Sequence, residues 1–213
     1  MGAGDPRIRA GNHCGDNEIA PHVTNAAALP RRHRFFAGAA LASALFASTM
    51  LTAPARAQQA VFIPLSFTPV TVTNTNNCVF VGTCAFINTT FPGASIDFTN
   101  TGNFATIGIG SIGILTNTLL GGGIKIDNSG NLATLGAGAI GISANTTLGG
   151  SIKIHNSGDI ATAGLGAIGI VGNTIYGGSV KIDNSGDIAT AGLGAIGIVG
   201  NTVYGGSVKI DNS

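Results

Sequence analysis

The sequence predicts an all-β fold, a parallel β-solenoid whose successive turns, or coils, are 28 residues long. Three observations carry this prediction. A block of 28 residues recurs four times from Asn100 onward, apolar residues alternate with polar or small ones inside each block, and glycine-rich turns separate the alternating segments. Such short strands cannot form separate sheets, whereas stacking one coil on the next pairs each strand with its own copy about 4.8 Å away.

The repeat defines the coils directly. The four copies span 100–127, 128–155, 156–183 and 184–211, and a fifth begins at Asn212. The last two complete copies differ only where Ile175 is replaced by Val203. A half-copy precedes the first one, because residues 95–100 match residues 151–156 in pattern. We therefore assign 100–213 to the solenoid.

Each copy contains three short strands, taken here from the third copy. Residues 179–183 alternate with Val180 and Ile182 pointing inward. Residues 167–170 alternate in the same way, with the small residues expected outside. Residues 158–162 supply the third strand, and glycine and asparagine between the strands provide the turns.

Equivalent positions in successive coils form columns that test the fold. One column is always large and apolar, as an inward position requires: Phe104, Leu132, Ile160 and Ile188. Two columns are always asparagine, whose stacked amides can hydrogen-bond along the axis. The first consists of Asn100, Asn128, Asn156 and Asn184. The second consists of Asn117, Asn145, Asn173 and Asn201.

A charged column runs along one outer face. It consists of Lys125, Lys153, Lys181 and Lys209, which would bring like charges within about 5 Å of each other. The column two residues further on offsets this repulsion with opposite charge: Asp127, His155, Asp183 and Asp211. We interpret His155 as a surface member of that column rather than as a catalytic group.

The amino-terminal part has the pattern of an export leader. Residues 31–57 contain a basic start, an apolar alanine-rich run and an A-x-A site, which together predict a signal peptide cleaved between Ala57 and Gln58. The alternative is a transmembrane anchor, for which the apolar run is short. Residues 1–30 show no periodicity and are predicted to be an unstructured extension, consistent with a misassigned start codon.

Export changes the interpretation of the cysteines. After Gln58 only Cys78 and Cys84 remain, and an even pair in an oxidising compartment predicts a disulfide. A free pair and a pair of metal ligands are the alternatives. The spacing is longer than that of zinc sites, and no other Cys or His lies nearby. We expect the disulfide to close a capping hairpin within an amino-terminal cap at 58–99.

Composition argues against several functional classes. The chain has 34 glycines among 213 residues, 9% charged residues and a net charge of +1, which argues against nucleic-acid binding. After Gln58 there is no Glu or Arg and a single His, so we predict that the protein is not an enzyme. Asp159 and Asp187 would lie about 5 Å apart, as the two carboxylates of a retaining glycosidase do. We interpret them instead as turn residues that recur because the repeat was copied.

Two glycine-rich patterns resemble cofactor-binding or metal-binding motifs, but the residues around them do not fit such sites. Every copy contains G-x-G-x-x-G, yet no helix can follow it to receive a dinucleotide phosphate. The G-G-S-V-K-I-D segment differs from calcium-binding G-G-x-G-x-D repeats, because a lysine stands in the middle and the Asp comes too late. We therefore predict no cofactor, no metal and no small-molecule substrate.

The N-S-G-D-I and G-A-I-G-I repeats, behind a leader ending A-R-A-Q, resemble the passenger of a Gram-negative autotransporter (type V secretion). The resemblance covers about residues 58–213. It implies a right-handed parallel β-helix, passage through the general export machinery and display at the cell surface or outer membrane, or release from it. It also implies adhesion to surface glycans or proteins, or self-association.

Such passengers precede a membrane β-barrel, so the resemblance implies a sequence truncated before it, for which a periplasmic product is an alternative. Two further alternatives remain open. Segments such as Ser-Val-Lys-Ile echo the repeats of trimeric autotransporter adhesin heads, and an exported polysaccharide-active β-helix enzyme is the less favoured one.

Overall fold

The computed structural model describes residues 61–213, which form fifteen β-strands. These residues contain no helix that is long and apolar enough to cross a membrane. The predicted extension at 1–30, the predicted signal peptide at 31–57 and the cleavage site between Ala57 and Gln58 all lie outside the described residues.

The strands build three faces along one axis. The first face holds β7 (Leu132–Leu135), β10 (Ile160–Ala163) and β13 (Ile188–Ala191). The second face holds β1 (Val61–Ser66), β8 (Ile140–Thr146), β11 (Ile168–Ile175) and β14 (Ile196–Val203). The third face holds β2 (Val70–Asn74), β4 (Ile96–Asn100), β6 (Ile124–Asn128), β9 (Ile152–Asn156), β12 (Val180–Asn184) and β15 (Val208–Asn212). Two longer strands, β3 (Cys78–Thr89) and β5 (Phe104–Thr118), run through the first and second faces.

Every strand pairs in parallel with its copy in the next coil. The third face is a six-stranded sheet in the order β15-β12-β9-β6-β4-β2, and the other two faces share a nine-stranded sheet. The register follows the sequence repeat, so that Ile160 pairs with Leu132 on one side and Ile188 on the other. The predicted β-solenoid of 28-residue coils is therefore confirmed for the described residues.

The core is a continuous stack of apolar side chains enclosed by the three faces. The predicted inward column is fully buried at Phe104, Leu132 and Ile160. The third face contributes a second column, in which Phe98, Ile126, Ile154 and Ile182 are also 0% exposed. Burying a large aliphatic or aromatic side chain stabilises the folded state by about 1.5–3 kcal/mol, so each coil adds to a common core.

Residues 61–99 follow the same path as the repeats, and they do not form a hairpin. β1 pairs in parallel with β3, and β3 pairs in parallel with β5, so this segment already forms coils of the solenoid. A disulfide joins Cys78 to Cys84 with an S–S distance of 2.07 Å. Both cysteines lie on the single strand β3, and Cys78 occupies the core column continued by Phe104.

The predicted alternation of residues 167–170 is wrong in one respect. Ala167 is fully buried and Gly169 is buried, whereas Ile168 is only partly buried. The reason is packing between coils. A Cβ on Gly169 would lie 2.6 Å from Cγ2 of Ile188 in the following coil, so the space beside this position is already filled. Small residues therefore face inward where the chain turns from the first face to the second.

Candidate functional site

An amide ladder runs along the end of the third face, at the last residue of each of its strands. We call it the inner amide ladder; its members are Asn74, Asn100, Asn128, Asn156, Asn184 and Asn212. Nδ2 of Asn128 donates to Oδ1 of Asn156 at 2.7 Å and to the carbonyl oxygen of Gly130 at 2.8 Å. Asn100, Asn156 and Asn184 repeat this pair of bonds. Both hydrogens of these amides are thus used where burial removes water as a partner.

The outer side of the third face carries the predicted charged column. Three of its lysines pair with the aspartate two residues later: Lys125 with Asp127 at 2.6 Å, Lys181 with Asp183 at 2.5 Å, and Lys209 with Asp211 at 2.7 Å. The hydrogen bond from Lys181 holds the pKa of Asp183 below its ordinary value. The hydrogen bonds to Asp127 and Asp211 raise the pKa values of Lys125 and Lys209 respectively.

The coil that contains Lys153 differs from the others. His155 takes the place of the aspartate, and Lys153 has no carboxylate within ion-pair distance among residues 61–213. His155 is exposed and lies in register between Asp127 and Asp183. These positions place His155 on the solvated face of the solenoid.

A third side-chain column, missed in the sequence, supports the turn before the first face. Its members are Asn77, Asn103, Asn131, Asp159 and Asp187. A side-chain oxygen of one member accepts the backbone N–H of the next: Asn131 Oδ1 from Asp159 N at 3.0 Å, and Asp159 Oδ1 from Asp187 N at 3.1 Å. The carboxylate of Asp159 therefore has a structural partner in the next coil. The regular Asn/Asp identity of these positions was the signal in the sequence.

The second asparagine column lies on the outer side of the second face. We call it the outer amide ladder; its members are Asn117, Asn145, Asn173 and Asn201. Nδ2 of Asn173 donates to Oδ1 of Asn145 at 2.9 Å, and Nδ2 of Asn201 donates to Oδ1 of Asn173 at 2.9 Å. The donors point toward the amino-terminal coil, opposite to those of the inner amide ladder. The members are partly buried or exposed rather than enclosed.

This ladder lines a groove on the protein surface, which we call the outer groove. Its volume is about 480 Å³, within the range of about 300–1,000 Å³ typical of ligand sites. The groove is lined by the ends of β8, β11 and β14, namely Asn145–Thr147, Asn173–Ile175 and Asn201–Val203. Ile175 and Val203 are 37% and 45% exposed, so the groove combines amides with apolar side chains.

Two tyrosines follow the groove strands directly. The rings of Tyr176 and Tyr204 stack with centroids 5.0 Å apart and an interplanar angle of 8°. Both residues have positive φ angles, 62° and 59°, in the left-handed region that bulky side chains rarely adopt. Each ring covers one face of the other, and both tyrosines remain exposed, Tyr176 at 56% and Tyr204 at 75%.

One buried column lacks hydrogen-bond partners. The hydroxyl oxygens of Thr106, Thr134 and Thr162 on the first face have no partner in the described part of the chain. In contrast, Thr118 and Thr146 on the second face donate to the carbonyl oxygens of Gly122 and Gly150 at 2.7 and 2.8 Å. The interior thus contains two threonine columns, one without hydrogen-bond partners on the first face and one with them on the second.

Comparison with protein-family models, with curated proteins and with solved structures finds no match for this chain. Among the described residues, no three side chains of His, Cys, Asp or Glu come close enough together to hold a metal ion. The site residues singled out from the sequence lie in separate columns, and of these columns the outer groove contains the outer amide ladder, through Asn145, Asn173 and Asn201.

Proposed function

We propose that this protein is a non-catalytic β-solenoid that is exported and serves as an adhesion or display stalk at the cell surface, as part of an autotransporter-like passenger. The observation that carries the proposal is that the polar side chains of each coil bind the next coil. Asp159 accepts the N–H of Asp187, Asn156 donates to Asn184, and Asn173 donates to Asn145. This use of polar groups suits a rigid scaffold that presents a surface.

Export is supported by the leader pattern and by the cysteines. The disulfide between Cys78 and Cys84 is the kind of bond that persists in oxidising compartments. The partners in this proposal are the general export machinery and, at the surface, glycans, proteins or a second copy. We place the protein at the outer membrane or outside the cell, with the periplasm as the alternative.

Expression of the full chain in a Gram-negative host, followed by cell fractionation, tests the export step. We expect a mature product beginning at Gln58, identified by mass spectrometry, with no free thiol before reduction. A control with Ala55→Leu and Ala57→Leu should accumulate with its leader intact. An unprocessed wild-type chain in the cytoplasm would contradict the proposal, and surface protease sensitivity separates display from periplasmic retention.

Two alternatives have their own tests. A trimeric adhesin head builds its core from three chains, whereas Phe98, Ile126 and Ile154 are fully buried within one chain here. Sedimentation of the full chain should therefore not give a trimer. A polysaccharide-active enzyme would lose turnover on replacement of Asp159 and Asp187 by Asn, and we expect no turnover to lose on a polysaccharide panel.

A further inference from the structure

We propose that the outer groove binds an uncharged, hydroxyl-rich oligosaccharide that lies parallel to the solenoid axis. This inference rests on the proposed surface function and names the class of partner that the stalk would hold. It depends on three features of the outer groove: unused hydrogen-bonding capacity in the outer amide ladder, the absence of charge around it, and the spacing of its members.

The first feature emerges from comparing the two amide ladders. In the inner amide ladder, Asn156 gives one hydrogen to Asn184 and the other to the carbonyl oxygen of Gly158. In the outer amide ladder, Asn173 gives one hydrogen to Asn145, and nothing in the described residues accepts the other. Its Oδ1 accepts from Asn201 and keeps one lone pair. Asn173 thus offers one donor and one acceptor to the groove, and Asn201 also keeps one hydrogen, whereas Asn145 gives its second hydrogen to Oγ of Ser143 at 3.2 Å.

The second feature is charge. No charged residue occurs in 160–180 or 188–208, the stretches that supply the last two coils of this groove. The lysines and aspartates of those coils lie on the third face and in the turn before the first face. Charged ligands are held by charged partners when they leave water, so a groove lined by amides and hydroxyls favours a neutral ligand.

The third feature is spacing. The outer amide ladder repeats once per coil, about every 4.8 Å. An extended peptide rises about 3.3 Å per residue and presents equivalent groups on one side about every 6.6 Å, so it cannot stay in register with the ladder. A chain of sugar rings carries hydroxyl groups in several directions on every ring and can reach the amides of Asn173 and Asn201 in successive coils.

The apolar part of the groove completes the match. Ile175 and Val203 are partly exposed beside the amides, and they can contact the C–H faces of sugar rings while the amides bind the hydroxyls. Mostly apolar walls with a few placed polar groups are the usual composition of ligand sites. The groove therefore offers both kinds of contact that a neutral sugar chain makes.

Titration calorimetry of the full chain with three hexasaccharides tests this proposal. The probes are cellohexaose, maltohexaose and a galacturonic acid hexamer as the charged comparison. We expect one of the neutral probes to bind and the charged probe not to bind. Ile175→Lys places a charge in the groove and should weaken binding about tenfold or more. Leu165→Lys adds the same charge to the same coil at a 61% exposed position outside the groove, and should leave binding unchanged.

A second variant, Asn173→Leu, removes the amide while keeping the approximate side-chain size. It should also weaken binding, with the circular dichroism spectrum showing that the fold is kept. Failure of both neutral probes to bind, stronger binding of the charged probe, or equal loss in Ile175→Lys and Leu165→Lys would each overturn the proposal. A chain that reaches the cell surface but binds neither neutral probe rejects this inference alone and leaves the proposed stalk function in place.

Discussion

The side-chain amide of Asn128 donates a 2.7 Å hydrogen bond to Oδ1 of Asn156, although the two residues are 28 positions apart in the chain. Asn156 in turn donates to Asn184 at 2.7 Å. Asn156 therefore holds its coil to both neighbouring coils. Because these side chains are buried, a lost partner is not replaced by water.

Replacing Asn156 by Ala should lower the free energy of unfolding by about 2–4 kcal/mol, because Asn128, Asn184 and the carbonyl oxygen of Gly158 each lose a partner. Urea denaturation followed by circular dichroism measures the change. The matched control is Asn173→Ala in the outer amide ladder, where water can take over the lost bonds and we expect a loss of about 1 kcal/mol. Equal losses in the two variants would contradict the structural distinction between the ladders.

Replacing Thr162 by Val should leave the protein as stable or stabilise it by about 1 kcal/mol. The buried hydroxyl of Thr162 has no partner within the described residues, and valine has nearly the same shape without the polar atom. Thr146→Val is the control. Its hydroxyl donates to Gly150 at 2.8 Å, so its removal should cost about 1 kcal/mol or more. Thermal melting of both variants checks the opposite signs, and a destabilised Thr162→Val would indicate a buried water on that hydroxyl.

Replacing Gly164 by Ala should destabilise the solenoid by about 3 kcal/mol or more. Gly164 has φ of +144°, and an added Cβ would overlap the carbonyl oxygen of Gly136 in the preceding coil. Gly166→Ala in the same turn provides the comparison. Gly166 has φ of +65° with open space around it, so only the left-handed backbone conformation is unfavourable there, by about 1–2 kcal/mol. Similar urea midpoints for the two variants would be inconsistent with the close packing of the coils.

The pairing of Lys181 with Asp183 predicts a small dependence of stability on acid pH. The pKa of Asp183 lies below its ordinary value of 3.8 in the folded protein, so the folded state binds this proton less readily than the unfolded chain. Its contribution is therefore present above pH 3.8 and is lost as the pH falls through the folded pKa. The difference in urea midpoint between wild type and Asp183→Asn should therefore shrink as the pH is lowered below 3.8. It should also shrink in 1 M salt, because the pair is partly exposed to solvent.

Most of the fold could be predicted from the repeat, because an exact period places equivalent residues of successive coils on top of each other. The inward column of Phe104, Leu132 and Ile160 and the pairing of Lys181 with Asp183 follow from that period and from alternation within a strand. Neither depends on how distant segments meet. These parts of the molecule are accordingly the ones that sequence alone predicts.

The remaining features depend on contacts between coils that a repeat does not specify. The inward position of Gly169 results from the side chain of Ile188 one coil later. The strand of Cys78 and Cys84 diverges from the repeat, so nothing in its pattern indicated parallel pairing with β1 and β5. The unused hydrogen of Asn173 likewise becomes visible only when side-chain directions are known, since both asparagine columns have the same sequence pattern.

The shared register has a genetic consequence. Residues 156–183 and 184–211 are nearly identical blocks. Each strand of one block pairs with the equivalent strand of the other in the same register. Unequal recombination within the repeat would add or delete whole coils without creating a new junction in the core. Each event would change the reach of the molecule by about 4.8 Å. The length of the solenoid would thus change by whole coils while the packing of each coil stays the same.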